Sequence, residues 1–220
     1  MIPMRHITGR KKAAEPLHVQ LNLPGNELVV LNTTREPRPG LRVRTRVVGL
    51  DNSELFSRED RLDAKANAAT PLAAVPLDRL FASHPMLLVK LYMTDRSGKT
   101  VAENFYWRGK DEAAYQMLNS LQNVTLSSSV AAPISVGDDM MVAVTLTNDT
   151  KVPALNAKLT LVDTAGKRIL PAFYNDNYVA LLPGETRRIE IRYPKTVGAA
   201  PAAVTLRGWN LPEMTRPIGR

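Results

Sequence analysis

Cysteine is absent from all 220 residues. That excludes disulfides, thiolate zinc sites and cysteine nucleophiles together, while leaving the compartment open. Long apolar runs are missing as well. Nothing approaches the ~18 apolar residues of a membrane-spanning helix, so no membrane partner is expected. Met1 to Arg10 is basic but has no apolar block behind it, which is not the pattern of a signal peptide. Glycines are scattered: Gly40, Gly98, Gly109 and Gly166 each stand alone at a turn. No glycine-rich phosphate loop is therefore present. Histidine is scarce, with His6, His18 and His84 only. None is spaced with another histidine or a carboxylate as metal ligands are, so neither metal nor cofactor is expected. The serine run Ser127-Ser128-Ser129 lacks the glycine elbow of a serine hydrolase.

Acids are present, but most lie at turns, as with Asp51, Asp95, Asp138 and Asp139. Cleaving a glycosidic bond needs two carboxyls roughly 5 to 10 Å apart on opposite sides of it. Glu103, Asp176 and Glu185 are the candidates, and no spacing links them into a pair. No catalytic residue is assigned. The formal net charge of +8 raises nucleic-acid binding. The basic residues are dispersed, however, and Arg42, Arg44 and Arg46 alternate with apolar neighbours like the wet face of a sheet. No nucleic-acid partner is expected.

What is there has a period of two. Leu41, Val43 and Val47 alternate with arginines, Val142, Val144 and Leu146 share a face, and Ile189 and Ile191 alternate with charged residues. Such alternation means strands with one wet face. Turn signals separate the runs at Pro24-Gly25-Asn26, Asp95-Arg96-Ser97-Gly98, Thr164-Ala165-Gly166 and Pro183-Gly184. The pattern predicts an all-β chain of two consecutive immunoglobulin-like β-sandwiches, each of the usual ~100 residues. The first sandwich is placed at 15–109 and the second at 123–213, with 110–122 as a short helical linker and 214–220 as a tail. Asp60 to Leu80, alanine-rich with Pro71 and Pro76, reads as an extended connection holding one irregular strand. Arg168 to Phe173 reads as a strand.

The aromatics cluster. In Phe105-Tyr106-Trp107, alternation puts Phe105 and Trp107 inward and Tyr106 outward. The second cluster is Phe173-Tyr174-Asn175-Asp176-Asn177-Tyr178. Aromatic faces stack on sugar rings and Asn or Asp bind hydroxyls, so Tyr174, Asn175, Asp176 and Tyr178 form a candidate carbohydrate or substrate-entrance contact. Core packing is the competing reading. Asn-x-Thr sequons stand at Asn32, Asn123 and Asn148 and say nothing by themselves.

Lys11-Lys12-Ala13-Ala14-Glu15-Pro16-Leu17-His18-Val19-Gln20 resembles the exit from the catalytic barrel of glycoside hydrolase family 2 enzymes of the β-mannosidase and exo-β-D-glucosaminidase branch. Glu103-Asn104-Phe105-Tyr106-Trp107 resembles the strand closing the domain that follows. Leu170 to Tyr178, with Leu181-Leu182-Pro183-Gly184-Glu185, resembles the hallmark of the final sandwich, and Arg207-Gly208-Trp209-Asn210 its last strand. The resemblance implies that 1–14 is a remnant of the barrel connection. It implies a non-catalytic accessory region whose partners are the barrel and other domains of a parent glycosidase, together with β-linked carbohydrate. The parent is then expected to be periplasmic or secreted. Two other classes fit the same strands: an independent carbohydrate-binding module and an adhesion array.

Overall fold

A computed structural model describes residues 15–196, 198 and 200–219. His6 and residues 1–14, expected to be the remnant of a barrel connection, lie outside the described residues. The fold divides into two compact units between Ser120 and Leu121. Each unit is a β-sandwich, and alternating residues of its two sheets form its core.

In the first unit, β1 (Leu17–Asn22), β2 (Glu27–Asn32) and β5 (Ala68–Leu72) form a three-stranded sheet in the order β1-β2-β5. The second sheet takes β3 (Arg38–Val48), β4 (Glu54–Ala64), β6 (Met86–Thr94) and β7 (Thr100–Gly109) in the order β4-β3-β6-β7. Val19, Leu28 and Val30 from one sheet meet Val43, Val89 and Leu91 from the other, all fully buried. A one-turn helix, α1 (Leu77–Leu80), drops Leu77 into this core.

The second unit opposes a sheet of β8 (Ser127–Val130), β9 (Ile134–Val136), β10 (Asp139–Thr147), β12 (Phe173–Tyr174) and β14 (Thr186–Pro194) to a second sheet. That second sheet takes β11 (Ala154–Val162), β13 (Val179–Leu181), β15 (Ala203–Arg207) and β16 (Met214–Pro217) in the order β13-β11-β15-β16. Val142, Val144, Ile189 and Ile191 face Leu159, Leu161, Val204 and Leu206 across its core.

Several expectations change. Asp60–Ala64 is not connection but the second half of β4, paired with β3 from Arg38 to Val48. β4 is an edge strand whose exposed positions are polar or charged, so its alternation of Leu62 with Arg61 and Asp63 is easily missed. Arg168–Phe173 forms no strand. It makes a single bridge, Val162 to Arg168, before β12 begins at Phe173. The expected tail contributes β16, with Met214 packed on the core. The linker segment holds a 3-10 helix, Ala113–Ser120, within the first unit, its start tied down by Asp111 Oδ1 accepting the Ala114 N–H at 2.9 Å.

The aromatic triplet faces the opposite way from expectation. Val89 pairs with Tyr106, while Lys90 and Leu88 pair with Phe105 and Trp107. Directly opposed residues share a face, and Val89 is core. Tyr106 therefore points inward, and Phe105 and Trp107 lie on the outer face. There the Lys90 ammonium sits 5.1 Å from the Tyr92 ring centroid and 5.9 Å from that of Phe105. Lys90 is buried, and these ring faces help offset its desolvation. The inward hydroxyl has its reason too. β1 is the edge of its sheet, and Tyr106 Oη accepts the Leu21 N–H at 3.2 Å while Asn104 Nδ2 donates to the Val19 carbonyl at 3.1 Å. A strand of one sheet thus borrows hydrogen bonds from side chains of the other.

Two sequons turn out to be architecture. Asn32 ends β2 and Asn148 follows β10, and both are buried. Asn32 Nδ2 donates to the carbonyls of Glu36 and Lys65, and Oδ1 accepts from Thr34 N–H and Oγ1. Asn148 Nδ2 donates to Val152 and Leu181 carbonyls, and Oδ1 accepts from Thr150 N–H and Oγ1. The two sandwiches, without obvious sequence repetition, close the same corner with the same Asn-x-Thr staple. Asn123, the third, is exposed.

Candidate functional site

The strongest site candidate in the sequence runs from Tyr174 to Tyr178, and most of its side chains hydrogen-bond to the domain's own strands. β13 is short and its register against β11 shifts between Ala154 and Ala157. Beyond that bulge, among the described residues, β11 has only the Val162–Arg168 bridge and the Ile169 N–H on that edge, and side chains fill the rest. Tyr174 Oη accepts the Leu161 N–H at 3.0 Å, and burial pushes its phenol above the usual tyrosine range. Asn177, buried, accepts the Leu159 N–H at 2.8 Å and donates back to the Leu159 carbonyl at 3.1 Å. One amide side chain thereby reproduces a full rung of a β-ladder. The pair Tyr174/Asn177 on Leu161/Leu159 repeats the logic of Tyr106/Asn104 on Leu21/Val19.

Asn175 is equally committed. Its N–H donates to the Glu190 carbonyl at 3.0 Å and its Oδ1 accepts the Glu190 N–H at 2.9 Å, extending β14 by one pairing. Asp176 is half-buried, and its Oδ1 accepts the Asn177 N–H. Tyr178 adopts a left-handed backbone with φ of 60°, unfavourable for a bulky residue. Its ring meets a residue that sequence reasoning did not flag: Lys158 Nζ lies 5.8 Å from its centroid. The signal available was the alternation of Lys158 and Thr160 with Leu159 and Leu161.

The candidate acids are dispersed in role. Glu185 Oε2 accepts the Leu182 N–H at 2.8 Å and closes the turn before β14. Glu103 stands opposite Tyr92 in the first unit. Among the described residues, no group of three or more His, Asp or Glu side chains is placed to hold a metal. His18 is buried beside Asn104, whose amide nitrogen can only donate. Nε2 of the ring therefore accepts at 3.2 Å. His84 lies 2.9 Å from Ser83 Oγ at a loop. A groove of about 680 Å³ in the first unit is bordered by Pro16, Thr34, Arg38, Asp95 and Arg96. No aromatic lines it among the described residues. Asp95 is already engaged in its own turn, where the Ser97 hydroxyl holds its carboxyl below the usual range. Among the described residues, no helix is long and apolar enough to cross a membrane.

Comparison with known proteins addresses both units. The family model of the mannosidase Ig/CBM-like domain matches residues 26–110, and that of the exo-β-D-glucosaminidase Ig-fold domain matches 104–211. An exo-β-D-glucosaminidase of Amycolatopsis orientalis is 35% identical over 95% of this chain, which spans 22% of that protein. A mannosylglycoprotein endo-β-mannosidase of Lilium longiflorum is 24% identical over 93% of this chain and 28% of its own length. The crystal structure of the Amycolatopsis orientalis exo-chitosanase CsxA superposes with a TM-score of 0.85 at 29% identity, over 96% of this chain and 27% of that one. The chain thus spans about a quarter of the length of the proteins it resembles. Through both its sandwiches it belongs with the immunoglobulin-like domains of family 2 glycoside hydrolases, in the exo-β-D-glucosaminidase and β-mannosidase branch.

Proposed function

We propose that these two sandwiches are the non-catalytic accessory region of a longer family 2 glycosidase, supporting a catalytic barrel supplied by other parts of the same polypeptide. The observation that carries this is the order and extent of the match: two accessory-domain models in succession, in a chain covering 22% of an exo-β-D-glucosaminidase. The side-chain geometry is in keeping. The acids singled out as candidates are engaged in turns and ladders, and the 174–178 segment fastens β11 and β14. Any reach toward a substrate entrance falls to Asn175, Asp176 and Tyr178, because the Tyr174 hydroxyl is turned to the fold.

The test is turnover. Incubated with p-nitrophenyl β-D-glucosaminide and β-D-mannoside, the 220-residue chain is expected to release no nitrophenol above the uncatalysed rate. The full-length polypeptide should hydrolyse one of the two. Saturable hydrolysis by the chain alone overturns the accessory reading.

A further inference from the structure

The outer face of the β13-β11-β15-β16 sheet carries an arrangement that the core does not use. Lys158 of β11 stands directly opposite Arg207 of β15. Like charges opposed across an antiparallel pair repel and destabilise the sheet. Among the described residues, no carboxylate forms an ion pair with either. The ammonium of Lys158 is held below the usual lysine range, first by partial burial and then by the charges of Arg207 and Arg168. Tyr178, with its left-handed backbone, sets a ring beside that ammonium and fixes its position.

Two residues along the same strands, and so on the same face, lies a row of hydroxyls. Thr160 is opposite Thr205, and Thr205 is opposite Thr215. They span three strands at the ~4.8 Å inter-strand spacing. Thr215 is exposed, and Thr160 and Thr205 are partly so. A concentrated positive charge beside a flat row of donor-acceptor groups matches a ligand with both negative charge and many hydroxyls.

We propose that this face binds an acidic glycan, a chain of uronic-acid sugars. Lys158 and Arg207 take a carboxylate, and Thr160, Thr205 and Thr215 take sugar hydroxyls. An anion there relieves the repulsion between the two cations, which the tyrosine ring cannot neutralise. A polymer of protonated amino sugars would meet like charge and is excluded. An acidic protein segment would satisfy the cations but leave the threonine row without a role. The assignment is independent of the accessory reading and survives its failure.

The experiment titrates the 220-residue chain with trigalacturonate by calorimetry at low salt. Saturable binding that weakens as salt is added is expected, because the pair is solvent-facing. Lys158→Gln/Arg207→Gln should weaken it by about tenfold or more. Thr160→Val/Thr205→Val, which keeps β-branching, should weaken trigalacturonate but leave any binding of poly-L-glutamate unchanged. Unaltered melting temperatures will show that each variant is folded. The proposal is overturned by any of four results: no saturable binding, equal affinity for a neutral galactose trimer, retained affinity in the charge variant, or poly-L-glutamate binding as tightly as trigalacturonate.

Discussion

Asn148→Ala is expected to lower the unfolding free energy by about 3 kcal/mol. The side chain is fully buried and serves four backbone and side-chain groups at once. Alanine leaves the buried Leu181 carbonyl and the Thr150 N–H without their side-chain partner, while the Val152 carbonyl keeps only the Thr150 hydroxyl. The roughly 1 to 3 kcal/mol attached to each stranded buried group dominates the lost packing of one small side chain. Urea denaturation measures the loss, and hydrogen exchange at β10 and β13 amides locates it. Asn148→Asp supplies a sharper check. It preserves shape and acceptors but turns the amide donor into an oxygen facing two carbonyls. It should destabilise at least as much as alanine. A loss below about 1 kcal/mol for either variant would show that the staple is ornamental.

Asn177→Ala follows, at about 2 kcal/mol. Its amide replaces a missing strand for Leu159 and also accepts the Tyr178 N–H at 3.0 Å. Removing it should unfasten the edge of β11 and free the left-handed turn at Tyr178. The expected signature is a lowered melting temperature together with faster amide exchange at Leu159 and Leu161. Tyr174→Phe, which removes a single acceptor from Leu161 N–H, should cost less, about 1 kcal/mol. Equal stability of Asn177→Ala and the parent chain would mean that the segment is held by other contacts, and its claim to be a clasp would fail.

The strands with one clean apolar face were legible in the sequence because period-two alternation is the physics of a half-buried sheet. β3, β10, β11 and β14 show it. Where both parities were apolar the signal vanished. Phe105, Tyr106 and Trp107 offer no contrast between faces, so their orientation rested on which hydroxyl had a partner, and the Leu21 N–H that decides it lies 85 residues away. β4 was lost for the complementary reason, since an edge strand with polar positions on its wet face gives a faint pattern. The site residues were legible as a cluster but not in their roles. Asn177 looked like its neighbours. Only the bulge in β11, a property of two strands together, shows why an amide is needed there. The opposition of Lys158 and Arg207 is a matter of register between two strands, with no local signal in the sequence.

The twin staples also govern where this chain can be made. The enzyme that glycosylates sequons in a eukaryotic secretory pathway acts on the nascent polypeptide, before Asn32 and Asn148 are enclosed. A bulky glycan on either amide occupies the nitrogen that must donate to two carbonyls, so that copy cannot close its corner. Yeast-secreted material should therefore contain soluble molecules modified at Asn123 alone, with chains carrying sugar at Asn32 or Asn148 retained inside the cell. Peptide mapping of the secreted and retained fractions would show this partition, and glycan at Asn148 in folded, secreted protein would contradict it.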